Sequence, residues 1–262
     1  MIRSAFKDNI TVPSLGAVAE AMTLVLALPG DDFVVIGADS LVLRQIPEFV
    51  DGQVRFSPSK EEDVAKIWRL TDFAGIAYAA SDGEVADIYR ALAQEQAENS
   101  RVTTVKALAE ELWPTLRDEF LRNYPQPHSR PEASFLLAGV DSQAPNKPAV
   151  LRFGLGNSMK QPVPKSLEWP YDTVGLSKIT EVWGPYCYTK SISRKAAILL
   201  TTFILQESAI HSTAVGPPFQ IVMIDRDGYK PVEEDLGALA DQLGGRLPMA
   251  IRHTIDNLTS GA

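Results

Sequence analysis

Two kinds of hydrophobic pattern alternate along the chain: short continuous apolar runs, and apolar stripes at helical spacing. The most informative run is Thr23-Leu-Val-Leu-Ala-Leu-Pro-Gly-Asp-Asp-Phe-Val-Val-Ile-Gly-Ala-Asp39. It predicts two strands, Thr23–Leu28 and Phe33–Ala38, joined by a turn at Pro29–Asp32. Pro and Gly supply turn geometry, and apolar runs without alternation suit strands buried on both faces. Antiparallel pairing brings the two ends of such a hairpin to one sheet edge. The hydroxyl of Thr23 and the carboxylate of Asp39 are thereby expected to be neighbours.

Further strands are predicted at Lys66–Leu70 and Gly75–Ala80, at Ala133–Gly139 and Ala149–Phe153, at Thr173–Gly175, at Phe219–Ile224 and near Tyr229. Between the first two pairs, Ser40–Ala65 is polar and carries Pro47 and Pro58, which reads as a loop or a weak hairpin. Ser81-Asp82 is a helix N-cap signal for a helix from Gly83 to Glu98, with Val85, Ile88, Tyr89 and Leu92 as its buried stripe. A second helix, Val102 to Asn123, contains Pro114, which is expected to kink or split it. Pro162–Pro170 reads as irregular. Helices are expected from Ser177, over Ser191–Ile210, over Leu236–Leu243 and near the C-terminus. Strand pairs, two helices, more strands and more helices point to an α/β or α+β chain in which sheets pack against helices. No internal repeat or linker interrupts residues 23–262, so they read as one domain.

Composition narrows the function classes. Of the 262 residues, 45% are hydrophobic and 22% charged, an ordinary globular balance. The net charge of −8 is spread along the chain and opposes binding to a phosphate backbone, so no nucleic-acid partner is expected. The longest apolar run, Ala196–Leu205, is too short to span a bilayer, and the first ten residues lack a signal-peptide core. One cysteine, Cys187, excludes an internal disulfide, and a reducing, cytoplasmic location is the expectation. His128, His211 and His253 share no metal-ligand spacing, so no metal site is expected of them. Gly154-Leu-Gly156 has no dinucleotide-binding context, and a Cys187–His211 pair has no flanking motif to support it.

Thr23, Asp39 and Lys66, in that order, offer a hydroxyl, a carboxylate and an ammonium. With the segments Ala74–Gly83, Phe135–Asp141 and Gln220–Gly228, they give the chain from Met22 to about Ala240 a resemblance to the proteasome β-subunit family of N-terminal nucleophile hydrolases. No single piece is specific, but their order and spacing together are. Thr23 and Asp39 stand sixteen residues apart, as in that family, whereas the longer step to Lys66 reflects an insertion around Pro47–Glu62. The resemblance implies an α+β fold, a four-layer αββα sandwich of two antiparallel sheets between helical layers. It also implies a ring-forming oligomer and a peptide or unfolded protein as substrate, with an ATPase unfoldase as a conceivable feeder. It implies neither a metal nor an organic cofactor. Residues 1–22 would be a propeptide or an N-terminal extension ahead of a single domain over residues 23–262.

The resemblance further implies that Thr23 is the nucleophile once its α-amine is freed. That amine would act as base, while Lys66, held charged by Asp39, favours the oxyanion of the hydroxyl. The amide of Ala80 would line the oxyanion hole, and Glu207 would keep the acidic position of a downstream acid-and-serine segment. Several positions depart from the family pattern. Met22 stands where Gly usually precedes the Thr, Leu24 where a second Thr is frequent, and Ala80 where Gly is normal. Leu176 replaces a supporting serine, and Ile210 follows Ser208 where a second hydroxyl is expected unless Ser212 supplies it. Three readings stay open: a threonine peptidase, a non-catalytic structural ring subunit, and an amidase acting on a small amide. Without the resemblance, Thr23 merely starts a strand and Asp39–Lys66 is an ordinary ion pair.

Overall fold

The computed structural model of the protein describes residues 23–50, 53–61, 64–80, 83–127, 130–144, 147–156, 159–164, 172–175, 188–189 and 191–233. The opening hairpin forms as the apolar runs dictate. Strand β1 (Leu24–Pro29) pairs antiparallel with β2 (Phe33–Asp39), Val25 opposite Ala38 and Pro29 opposite Val34. A two-stranded ribbon follows, β3 (Val42–Val50) with β4 (Gln53–Glu61), and then β5 (Ile67–Arg69) and β6 (Ala74–Ala80). Helices α1 (Gly83–Asn99) and α2 (Val105–Asn123) lead to β7 (Ala133–Val140), β8 (Pro148–Leu155), β9 (Lys160–Pro164) and β10 (Asp172–Gly175). The described chain ends with α3 (Arg194–His211), β11 (Phe219–Asp225) and β12 (Gly228–Pro231).

The protein is thus α+β, with two five-stranded antiparallel sheets ordered β10-β1-β2-β11-β12 and β5-β6-β7-β8-β9, and three helices among the described residues. The arrangement is compatible with a sandwich, and the period-two geometry of a strand shows how it is held. In β1, Val25 and Ala27 join a cluster with Ala77 and Ala79 of β6 and Leu136 and Ala138 of β7, so the two sheets share one core. The alternate residues Leu24, Leu26 and Leu28 pack with Leu200, Phe203 and Ile204 of α3. In β6 and β7, Ile76, Tyr78, Phe135 and Leu137 turn instead toward Tyr89 of α1 and Leu108, Leu112 and Phe120 of α2. Each strand therefore feeds two cores, which explains why its sequence is apolar throughout rather than alternating.

Several expectations need correction. Of the two readings of Ser40–Ala65, a loop or a weak hairpin, the hairpin holds and is longer than expected: β3 and β4 form a ladder of nine paired positions from Val42↔Glu61 to Val50↔Gln53. Pro47 and Pro58 are tolerated because both strands of a two-stranded ribbon are edges, where a missing N–H need not break the ladder. Of the kink or split expected at Pro114, the split does not occur: helix α2 runs unbroken through it, since the buried face of Leu108, Leu112, Trp113, Leu116 and Phe120 outweighs one lost backbone bond. It starts at Val105 rather than Val102 because Thr104 caps it, its side chain accepting from the Ala107 amide at 3.1 Å. On α1, Tyr89 is buried as expected, but Ile88 is 49% exposed, and the small Ala93 and Ala97 complete the packed face. Strand β9 starts two residues ahead of the stretch read as irregular and runs into its first three, Pro162 to Pro164, again with its prolines on a sheet edge. The helices expected from Ser177, over Leu236–Leu243 and near the C-terminus lie outside the described residues, as do residues 1–22.

Candidate active site

The start of β1, the end of β2 and the start of β11 share one edge of their sheet, because β1–β2 and β2–β11 are both antiparallel and Asp39 lies opposite Phe219. At this edge Thr23, Asp39 and Lys66 come together. Lys66 immediately precedes β5 of the other sheet and reaches across to the edge. Its ammonium nitrogen Nζ donates to Asp39 Oδ1 at 2.9 Å, to the Leu41 carbonyl at 2.6 Å, and to Thr23 Oγ1. An ammonium has three N–H donors, and these three acceptors use all of them.

The carboxylate is held just as firmly. Asp39 Oδ1 also accepts from the Leu24 amide at 2.8 Å, and Oδ2 accepts from the Leu41 amide at 3.1 Å. Thr23 is 5% exposed, Asp39 0% and Lys66 1%. Burial pushes the Asp39 carboxyl above its ordinary 3.8, against the pull of the Lys66 charge and of the two amides. The same burial pushes the Lys66 ammonium below its ordinary 10.5, against the attraction of Asp39. A lysine of this kind can donate to a hydroxyl when charged, and it surrenders its proton more readily than a surface lysine.

The strand β10 completes the edge on its other side, with Leu24 opposite Gly175. Gly175 has φ +87°, and a Cβ there would overlap the carbonyl oxygen of Thr23. Only glycine lets β10 close on the backbone at Thr23. The same Cβ would stand 3.5 Å from the Ala79 side chain, so the end of β6 reaches this edge as well. Ala80, the last residue of β6, therefore ends one position beyond a residue that abuts Gly175. Leu176, Ser177 and Met22 lie outside the described residues.

Among the described residues Glu207 makes no hydrogen bond or ion pair with Thr23, Asp39 or Lys66. It sits on α3, and among the described residues it pairs with His211 one helical turn on, at 3.7 Å. The chain after α3 does return to the edge, but at Gly216, whose carbonyl accepts from the Ser40 amide at 3.3 Å. Ser212 turns back on its own backbone, its hydroxyl accepting from the Ala214 amide at 3.2 Å. A Cys187–His211 pair has no described geometry, since Cys187 is outside the described residues. Among the described residues no group of His, Cys, Asp and Glu could hold a metal ion. Nor is any described helix long and apolar enough to cross a membrane.

Sequence reasoning missed Gln220. Its Oε1 accepts from the Lys66 amide at 2.9 Å and the Ile67 amide at 3.3 Å. Its Nε2 donates to Ser40 Oγ at 2.5 Å and to the Val64 carbonyl at 2.6 Å. Between Phe219 and Ile221, a glutamine reads as the solvent-facing member of an alternating strand, and no local signal marks it otherwise.

A buried hydroxyl in contact with a buried, carboxylate-paired ammonium can do acyl-transfer chemistry. In such chemistry the ammonium would stabilise an oxyanion on Thr23 Oγ1, and the carboxylate with its two amide donors holds the lysine in place. A scan against protein-family models gives no match to the chain, and a search of curated proteins gives none either.

Proposed function

We propose that the protein is a threonine-type hydrolase of the N-terminal nucleophile class, with the αββα layering and the ring assembly of proteasome-like peptidases. One observation carries the reading: Lys66 Nζ bridges Asp39 Oδ1 and Thr23 Oγ1 with all three side chains buried at one sheet edge. The sharing of one core by two antiparallel sheets, with α1 and α2 on one and α3 on the other, supports the layering.

In the uncut chain the nitrogen of Thr23 is acylated by Met22 and is no base. The first reaction is then internal. Thr23 Oγ1 attacks the Met22 carbonyl carbon, the C–N bond breaks, and the hydroxyl proton ends on the departing nitrogen. Water hydrolyses the resulting ester, releasing residues 1–22 and leaving Thr23 with a free α-amine. That amine titrates near 8 and accepts the hydroxyl proton in each later attack on a peptide carbonyl. Lys66 stabilises the oxyanion in both reactions. A β-carbon on Met22 restricts the tight turn that such a shift needs, so cleavage is expected to be slow or to await assembly.

Intact-mass spectrometry of the purified, assembled protein tests the reading. The expected result is loss of residues 1–22 in the wild type, with Thr23→Ala staying full length. An active protein that retains the segment overturns the mechanism. A second reading, a structural ring subunit that keeps its uncut N-terminus, draws on the 5% exposure of Thr23 and on the methyl group at Ala80. It predicts full-length mass together with no hydrolysis of an unfolded protein.

A further inference from the structure

We propose that Gln220 is the positioning residue of the Thr23 site: its carboxamide ties together the two chain segments that carry Asp39 and Lys66, and so fixes where the ammonium meets the hydroxyl. The inference rests on the hydrolase reading for its catalytic consequence, and on geometry alone for the clamp.

Lys66 and Asp39 are separated in sequence by the whole β3–β4 ribbon. The ribbon leaves the site at Leu41 and returns at Val64, and its strands form a sheet of their own. Something other than the ribbon must therefore register Lys66 against Asp39. One backbone bond helps, from the Val64 amide to the Ser40 carbonyl at 3.1 Å. Gln220 supplies the rest, from a third segment 154 residues beyond Lys66. Its backbone is itself fixed, because β11 pairs with β2 and places Gln220 opposite Ala38, next to Asp39.

The chemistry dictates which way the carboxamide faces. The amides of Lys66 and Ile67 only donate, so they must meet Oε1; the Val64 carbonyl only accepts, so it must meet Nε2. Both lone-pair directions of the oxygen and both protons of the nitrogen are in use. No other uncharged side chain of this length carries two acceptor sites and two donors, and asparagine is a methylene too short. A displacement of Lys66 by an ångström separates its ammonium from Thr23 Oγ1, and misplacement on that scale costs about 100-fold in rate.

The test compares wild type, Gln220→Met and Gln220→Glu. Methionine keeps the length of the side chain and removes all four hydrogen bonds. Glutamate keeps the two acceptor bonds but sets a carboxylate oxygen against the Val64 carbonyl until it is protonated. Hydrolysis of a peptide amide is measured against pH, and the titration of Lys66 is followed by NMR of 13C-lysine-labelled protein, assigned from Lys66→Met. In Gln220→Met the expected result is a fall in kcat of about 100-fold with KM within about twofold. The Lys66 midpoint should move up toward the ordinary lysine value as its confinement loosens. The activity of Gln220→Glu, relative to wild type at the same pH, should rise as pH falls and its side chain again donates to Val64. Unchanged kcat and an unmoved Lys66 midpoint in Gln220→Met overturn the proposal. So does a loss that glutamate fails to restore at any pH. If the wild type hydrolyses nothing, the hydrolase reading fails, while the Lys66 midpoint still decides the clamp; should the methionine variant not fold, the pH-dependent ratio of the glutamate variant decides it.

Discussion

The ladder between β2 and β11 has a buried carboxylate at each end, and the two ends are built differently. At one end Asp39, opposite Phe219, is paired with Lys66, whose side chain is 1% exposed. At the other, Asp225, opposite Phe33, meets Arg194 at 3.0 Å and Lys230 at 3.2 Å, cations that are 40% and 43% exposed. Arg194 also reaches Asp32 at 2.9 Å, and Lys230 reaches Asp227 at 3.3 Å, so these cations are spread over several carboxylates near water. Such an arrangement fastens α3 and the β11–β12 turn to the sheet without confining a proton. Lys66, by contrast, is closed off from bulk solvent, and one of its three donors goes to a hydroxyl. A pair built only to fasten the sheet would not need to bury its cation, because burying both charges costs more than it returns unless every bond is made. The end that carries the extra cost is the end where the Thr23 hydroxyl sits, the nucleophile of the proposed reaction.

Removing Lys66 should break the comparison most severely. In Lys66→Ala, hydrolysis should fall at least about 1,000-fold, the scale of a lost acid–base partner, and Asp39 is left buried and unpaired. Breaking a buried pair costs about 3–5 kcal/mol, so chemical denaturation should show a loss of that size. Arg194→Ala at the opposite end should cost clearly less in the same measurement and leave kcat as it was. Equal destabilisation at the two ends would remove the distinction between them.

Gly175→Ala probes the same end through the backbone. A non-glycine residue held at φ +87° costs about 1–3 kcal/mol, and here its Cβ would also press on Thr23. A matching drop in denaturation midpoint should come with a lower kcat, whereas a drop in stability alone would separate Gly175 from the chemistry.

The pH profile sharpens the contrast further. Because burial lowers the Lys66 pKa, hydrolysis should decline as pH rises through a value below 10.5. As pH falls through about 8 the freed Thr23 α-amine takes up its proton and hydrolysis should decline. Because burial raises the Asp39 pKa, a further decline should come as pH falls through a value above 3.8. The working window is therefore narrower than that of the free side chains. In stability the signs are opposite to those of an exposed pair. A raised Asp pKa makes its contribution fade as pH climbs from 3.8 through the folded value. A lowered Lys pKa returns stability as pH climbs from the folded value toward 10.5. The pair thus contributes least to stability where both groups are charged, and the difference in unfolding free energy between wild type and the double variant Asp39→Asn, Lys66→Met should follow that course.

Glu207→Gln should have the smallest effect. Its partner is His211 on the helix surface, so kcat should stay within about twofold and stability within about 0.5 kcal/mol. A large loss of activity would return Glu207 to the site.

What could be read beforehand follows from how local each feature is. The Thr23–Asp39 edge was legible because two apolar runs and a Pro-Gly turn lie within seventeen consecutive residues, and antiparallel pairing does the rest. Lys66 was legible only through order and resemblance, since no spacing rule carries a residue across a nine-pair ribbon. The ribbon was legible only as one of two readings, a weak hairpin beside a loop, because its prolines argue against a strand unless both strands are known to be edges. Gln220 was hidden for a deeper reason: its role depends on four backbone and side-chain partners from distant segments, none of which leaves a trace in its neighbours. Glu207 rests on the resemblance alone, for its described partner is His211 on the same helix, and that pair says nothing for or against a role at Thr23.

The central claim is that Lys66 makes the Thr23 hydroxyl a nucleophile, and a covalent probe tests it most directly. A peptide β-lactone acylates an activated hydroxyl, and peptide mapping by mass spectrometry locates the ester. The account predicts one stoichiometric adduct on Thr23 in assembled wild-type protein and none in Lys66→Ala. An adduct on another residue, an adduct on Thr23 that persists in Lys66→Ala, or no adduct at all in protein that hydrolyses peptides would contradict it.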